Sequence, residues 1–179
     1  QNCSNLENFP SIDTSKVTNL AYTWNNCSLT SFPTPSGDLM DFSKVTNFTG
    51  AWYNNKFTSF PTINVSSAVY LNQTWENTSL TSFPFLVTSS VTQMSRAWMR
   101  CRALQKFPLI DTSNVTNLSL AWYECEVLDN ISNDGQSTSF PQINTSSCTN
   151  FSYAWLECFA LTVFPQLDTS SGENFSGAW

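Results

Sequence analysis

The chain has no histidine. That absence removes the usual general base of serine and cysteine hydrolase sites and the commonest metal ligand. Only 11% of the 179 residues are charged, against about 25% in ordinary soluble domains. Seven basic residues face thirteen acidic ones, the net charge is −6, and no basic stripe is present, so nucleic acid is not expected as a partner. The five glycines are dispersed and build no phosphate-cradling loop. No apolar run approaches the roughly 20 residues that cross a bilayer, and no signal peptide is visible, although a mature secreted chain would have lost one. No catalytic residue and no metal-ligating set is assigned, and the chain reads as a non-enzyme.

What is there is repetition. All seven tryptophans, Trp24, Trp52, Trp75, Trp98, Trp122, Trp155 and Trp179, occupy one position of a repeat, spaced 28, 23, 23, 24, 33 and 24 residues apart. Nine residues before each stands a serine: Ser15, Ser43, Ser66, Ser89, Ser113, Ser146 and Ser170. Seven of the eight prolines follow a phenylalanine, once per unit, from Phe9-Pro10 to Phe164-Pro165. A period of about 20 to 30 residues marks an array whose units bury their apolar faces by stacking on one another. Residues 1–179 are therefore expected to form a single solenoid of seven repeats.

The fifth unit, Cys101 to Tyr123, divides into two halves. Leu104, Phe107 and Ile110 flank the proline and predict a short strand, with proline at its edge. Val115, Leu118, Ala121 and Trp122 fall at i, i+3, i+6 and i+7, one face of a short helix. Asp, Thr and Ser just before that face are good N-cap residues, so the uniform serine is read as a cap. The expected fold class is an α/β repeat solenoid, with a parallel sheet of short strands on one side and short helices on the other. Insertions between Pro33 and Ser43 and between Cys125 and Phe140 are placed on its rims.

Twelve asparagines stand in N-x-[ST] sequons: Asn2, Asn26, Asn47, Asn64, Asn72, Asn77, Asn114, Asn117, Asn130, Asn144, Asn150 and Asn174. With 47 Ser and Thr among 179 residues, chance places such a motif after roughly five of the 19 asparagines. Duplication of one ancestral V-T-N-x-S explains the column Asn47, Asn117, Asn150 and Asn174, but the remainder lie elsewhere in the repeat. The excess points to N-glycosylation and a eukaryotic secretory route. Cys3, Cys27, Cys101, Cys125 and Cys158 share a column just after the expected helix, and Cys148 sits on the helical face. Stacking brings equivalent positions within disulfide reach, and the expected bridges are Cys3–Cys27, Cys101–Cys125 and Cys148–Cys158. Reduced, buried cysteines are the alternative.

The order A-W-x-x-C-x-x-L-x-x-F-P-x-I-D-T-S-x-V-T-N-L, carried best by Ala121-Trp122, Cys125, Leu104, Phe107 and Asp111 to Asn117, resembles the leucine-rich repeats of the BspA-like surface proteins. The resemblance covers the whole chain. It implies a parallel-sheet-and-helix solenoid, a cell-surface or secreted location, a role in adhesion, and no catalytic residues. Trp replaces the usual Phe, and the regular F-P step and the density of sequons are further departures.

Placing Gln1 after Trp179 continues the W-x-x-C register, which predicts a segment of a longer array or a unit that stacks head-to-tail on itself. The carboxylate and amide column Asp13, Asn64, Asp111, Asn144 and Asp168 could hold calcium, but helix capping explains it without a metal. No cofactor is expected beyond covalent glycans. The expected function is a structural, extracellular or cell-surface glycoprotein forming part of a filament or long rod. An adhesin or recognition module binding a protein or glycan ranks second, and an ice- or surface-binding protein, from the column Thr18, Thr46, Thr92, Thr116 and Thr149, ranks third.

Overall fold

The computed structural model describes residues 3–8, 12–32, 41–129 and 140–179. Among these residues there is no α-helix and no extended strand; the chain runs through turns joined by isolated parallel bridges. The expected α/β architecture, a parallel sheet backed by helices, is therefore not formed, and the description as a leucine-rich-repeat solenoid is corrected with it. Both insertions fall mainly on residues 33–40 and 130–139, and Phe9-Pro10, Asn2 and Asn130 also lie outside the described residues.

The helix fails for a local reason that recurs in every unit. Two residues before each tryptophan the backbone is left-handed, at Tyr22, Gly50, Gln73, Arg96, Leu120, Tyr153 and Gly177, with φ between 55° and 58°. Two residues after it the same happens at Asn26, Asn54, Asn77, Arg100, Glu124 and Glu157. A residue at positive φ cannot continue a right-handed helix, but it fits the third position of a type II turn. Ala97 N–H donates to Met94 C=O and Cys101 N–H to Trp98 C=O, closing such turns around Arg96 and Arg100. Successive turns carry one side chain inward about every three residues, the spacing that resembles a helical face.

Alternate residues then donate to the next unit. From the fourth to the fifth, Met94, Arg96, Trp98 and Arg100 N–H donate to the carbonyls of Asn117, Ser119, Ala121 and Tyr123 at 2.7–3.1 Å. The same four rungs join units one to two, two to three, three to four and five to six, and three of them join six to seven. The bridges Asn19↔Asn47, Asn47↔Tyr70, Tyr70↔Gln93, Gln93↔Asn117, Asn117↔Asn150 and Asn150↔Asn174 run along this edge. The result is seven stacked coils, each here numbered by its tryptophan, whose hydrogen bonds follow a parallel β pattern while the chain itself turns.

The interior is two aromatic columns at right angles. Trp75, Trp98, Trp122 and Trp155 stack face to face with centroids 5.4–5.5 Å apart and planes within 9°. Phe83, Phe107, Phe140 and Phe164 of the F-P steps stack beside them at 5.6–5.9 Å. Each phenylalanine meets the neighbouring indoles nearly edge-on, as Phe107 does Trp98 at 4.7 Å and 80°. Trp52, Trp75, Trp98 and Trp122 are wholly buried. Offset and edge-to-face aromatic contacts are each worth about 0.5–1.5 kcal/mol beyond their buried area, so every coil adds several.

Candidate functional site

The repeat columns place their polar groups outward or on the backbone of the neighbouring coil, and each has a definite task. In the D-T-S step, the Oδ1 of Asp13, Asp41, Asn64, Asp111, Asn144 and Asp168 accepts from the serine N–H two residues on, at 2.8–3.1 Å. The uniform serine therefore does not cap a helix; it is held by the acid or amide before it. These backbone and side-chain bonds from serine hold the Asp13, Asp41, Asp111 and Asp168 carboxyls below the ordinary carboxylate value. The threonine just before the serine reaches along the stack: Thr14, Thr88, Thr112 and Thr145 hydroxyls donate to the carbonyls of Asp41, Asp111, Asn144 and Asp168 one coil on. Sequence reasoning missed this second role, which alternation of threonine with apolar Phe42 and Val65 at the buried position could have suggested.

Among the described residues no group of three histidine, cysteine, aspartate or glutamate side chains is placed to hold a metal. In the carboxylate and amide column, Oδ1 of each residue is engaged in its own turn.

All six cysteines are free thiols in the structure. Cys101, Cys125 and Cys158 each donate to the carbonyl of the tryptophan one coil back, Trp75, Trp98 and Trp122, at 3.1–3.2 Å. In the same column Asn55 donates to Trp24 and Trp52 C=O, and Thr78 to Trp75 C=O. This column gives the tryptophan carbonyls a side-chain donor of whichever type is available, beside the turn N–H that Trp98 and Trp122 C=O also accept. Burial pushes the thiols up, to about 11 at Cys101 and about 12 at Cys158. Cys148 faces a different carbonyl, that of Asn150, so it does not share the column with Cys158.

The threonine column offered for ice is occupied from within. Thr46, Thr116 and Thr149 hydroxyls donate to the carbonyls of Thr18, Thr92 and Thr116. Three of the five hydroxyls in that column are thus engaged within the stack.

Two surface features remain. On coils one to three, Asn77 Nδ2 donates to Asn54 Oδ1 and Asn54 Nδ2 to Asn26 Oδ1, each at 2.7 Å. This amide ladder borders a groove of about 710 Å3 lined also by Ser28, Lys56 and Ser79. On coils four to six the same column becomes ionic. Glu124 is held by Arg100 at 3.1 Å and by Arg102, and Arg102 also reaches Glu126 at 2.9 Å. Burial acts to raise the Glu124 carboxyl, but the two guanidinium groups outweigh it and leave it lowered. Glu76 is buried, and loss of water raises its carboxyl despite a bond from Gln73.

The sequon asparagines fall into distinct settings. Asn47, Asn117, Asn150 and Asn174 stand in the bridged edge, each closing its own turn through Oδ1. Asn72 Oδ1 accepts from Ser95 N–H of the next coil, and Asn114 Nδ2 donates to Ser89 C=O. Asn64 and Asn144 are exposed, and their Oδ1 atoms accept both from the N–H and the hydroxyl of Ser66 and Ser146. No helix among the described residues is long and apolar enough to cross a membrane. No protein-family model, no curated protein and no solved structure matches this chain.

Proposed function

We propose that the chain is a structural, non-enzymatic glycoprotein of the cell surface or extracellular space, forming part of a filament or long rod. The observation that carries this reading is the unbroken stack: indole on indole, phenylalanine on phenylalanine and four backbone rungs at nearly every coil boundary. Such an array resists extension along its axis because separating two coils breaks all of these contacts at once. The nearly uncharged polar coat and the wealth of sequons fit a hydrated exterior.

The partner we propose is more of the same repeat. Beside the seventh coil, Trp155, Cys158, Leu161, Phe164 and Trp179 line an apolar cavity of about 340 Å3. Equivalent interior positions receive the leucine and phenylalanine of a following coil. Head-to-tail contact through this face seats a coil of a second copy.

Electron microscopy of the native material tests the reading. Continuous rods with an axial repeat of about 33 Å, seven coils at about 4.7 Å each, are expected. Discrete short particles that saturate with a ligand would instead support an adhesin, for which the amide-lined groove beside Lys56 is the favoured binding surface.

A further inference from the structure

We propose that N-linked glycans on Asn64 and Asn144 cover an apolar patch made by Phe85, Val87 and Leu109 on the two coils between them. The inference rests on the glycoprotein reading above.

The stacked phenylalanines of the F-P steps set the register. Phe60, Phe83, Phe107 and Phe140 follow one another at 5.7–6.3 Å. The second residues after them, Thr62, Phe85, Leu109 and Gln142, therefore share one outer column, and the fourth residues, Asn64, Val87, Asp111 and Asn144, share the next. Thr62 and Gln142 are polar and exposed, as the rim of the stack requires. Coils four and five break the rule: Phe85 is 58% exposed, Leu109 58% and Val87 51%. Isolated apolar side chains on a surface are ordinary, but three contiguous ones with polar neighbours on both sides mark a surface that something covers.

The two sequons sit at the borders of that patch, on coils three and six. Three coils span roughly 14 Å at strand-like spacing, which leaves room for one glycan at each border. Both amide nitrogens are available, because the folded turns use only Oδ1. Apart from Asn47, which stands on the second coil away from this patch, the other sequons among the described residues are less suited. Nδ2 of Asn77 and of Asn114 is already a donor within the fold. Asn117, Asn150 and Asn174 occupy adjacent coils, about 5 Å apart, closer than two sugar rings can lie side by side. Asn26 and Asn72 are half-buried and bonded to neighbouring coils.

The modification is a group transfer from a polyprenyl-pyrophosphate oligosaccharide. The bond from asparagine Nδ2 to sugar C1 forms, the C1–O bond to pyrophosphate breaks with its electron pair leaving on the pyrophosphate, and the amide gives up one proton. Oδ1 keeps its serine partners throughout. A pyranose presents an apolar C–H face, and the first sugars at either border reach over Val87 toward Phe85 and Leu109.

The test is the full chain secreted from a eukaryotic host, with site-by-site glycopeptide mapping. Asn64 and Asn144 are expected to be occupied in most molecules. The S66A/S146A variant abolishes both sequons while leaving the Oδ1 to N–H turns intact, and S66T/S146T retains them as the control. S66A/S146A should bind an apolar-surface dye several-fold more strongly than the control, and adding F85S/L109S should return binding to the control level. Occupied sequons elsewhere with Asn64 and Asn144 bare would overturn the inference and leave the glycoprotein reading standing. Dye binding unchanged by S66A/S146A, or raised but insensitive to F85S/L109S, would overturn it as well. A chain bare at every sequon would overturn both.

Discussion

Trp98 sits at the centre of the stack and allows a sharp test of what holds the coils together. It has no exposed surface. It lies between Trp75 at 5.5 Å and Trp122 at 5.4 Å, and edge-on to Phe83 at 5.1 Å and Phe107 at 4.7 Å. Its indole N–H is buried without an acceptor, as are those of Trp52, Trp75, Trp122 and Trp155. Replacement by alanine removes the ring from four aromatic neighbours and is expected to cost about 5 kcal/mol, the upper end for a buried aromatic. Replacement by phenylalanine behaves differently. It gives up roughly three ring atoms, about 2 kcal/mol at about 0.8 kcal/mol per buried methylene equivalent. It also removes an unsatisfied donor whose lost hydration costs about 1–3 kcal/mol. Trp98→Phe is therefore expected to lie within about 1 kcal/mol of the native chain. Urea unfolding followed by far-ultraviolet circular dichroism, with the slope compared as well as the midpoint, measures both. A Trp98→Phe cost of 3 kcal/mol or more would refute the argument, because it would mean that the indole N–H is engaged and that tryptophan is held by more than stacking.

Glu76→Gln should stabilise the chain at pH 7, since burial raises the Glu76 carboxyl in the folded state. A raised folded value means that its favourable contribution exists below the unfolded value and is lost as pH rises through the folded one; urea midpoints at pH 4 and pH 7 check the sign. Asp13, Asp41, Asp111 and Asp168 act oppositely, because their lowered carboxyls contribute above pH 3.8 and lose that contribution as pH falls through their folded values. Asp111→Asn, which copies Asn64 and Asn144, should flatten that acid limb with little change at pH 7. Cys125→Thr should be tolerated, since Thr78 holds the same position and donates to its own coil's Trp75 C=O, whereas Cys125→Ala removes one of the two donors to Trp98 C=O, leaving Cys101 N–H, and should cost about 0.5–1.5 kcal/mol in the same assay. Gly50→Ala should be strongly destabilising: its φ is +58° and a Cβ would lie 2.4 Å from the Tyr22 ring. Adding Tyr22→Ser should recover the steric part and not the backbone part.

The period, the aromatic columns and their burial were legible in the sequence because each is written seven times. The conformation of the segment before and after tryptophan was not. Val115, Leu118 and Ala121 lie three apart, and a run of type II turns and an amphipathic helix both turn such a pattern inward. The distinction lies at the left-handed positions two before and two after each tryptophan. Five of those thirteen residues are asparagine or glycine, Asn26, Asn54, Asn77, Gly50 and Gly177, and none of the thirteen is β-branched. That is the signature of positive φ, but Arg96, Leu120 and Tyr153 in the same column dilute it. There the inter-coil rungs decide, since Arg96, Leu120 and Tyr153 N–H each find a carbonyl on the next coil only in this conformation.

The same substitution of neighbour for self explains why the polar columns looked like sites. Serine, threonine, aspartate and cysteine recurring at fixed positions of the repeat suggest caps, metals, ice or disulfides. In the stack they bond to backbone groups of the turns: Asp111 to Ser113 N–H and Thr112 to Asn144 C=O, while Cys125 adds a second donor to Trp98 C=O. A helix or a continuous sheet would satisfy those groups internally and leave side chains free to vary. A chain of turns cannot, so it fixes the side chains instead, and the uniformity of the columns follows from the absence of regular secondary structure. Function is then to be sought where the columns break, at the amide ladder beside Lys56, the ionic run around Glu124, and the apolar residues Phe85, Val87 and Leu109, because stacking alone does not call for the residues found there.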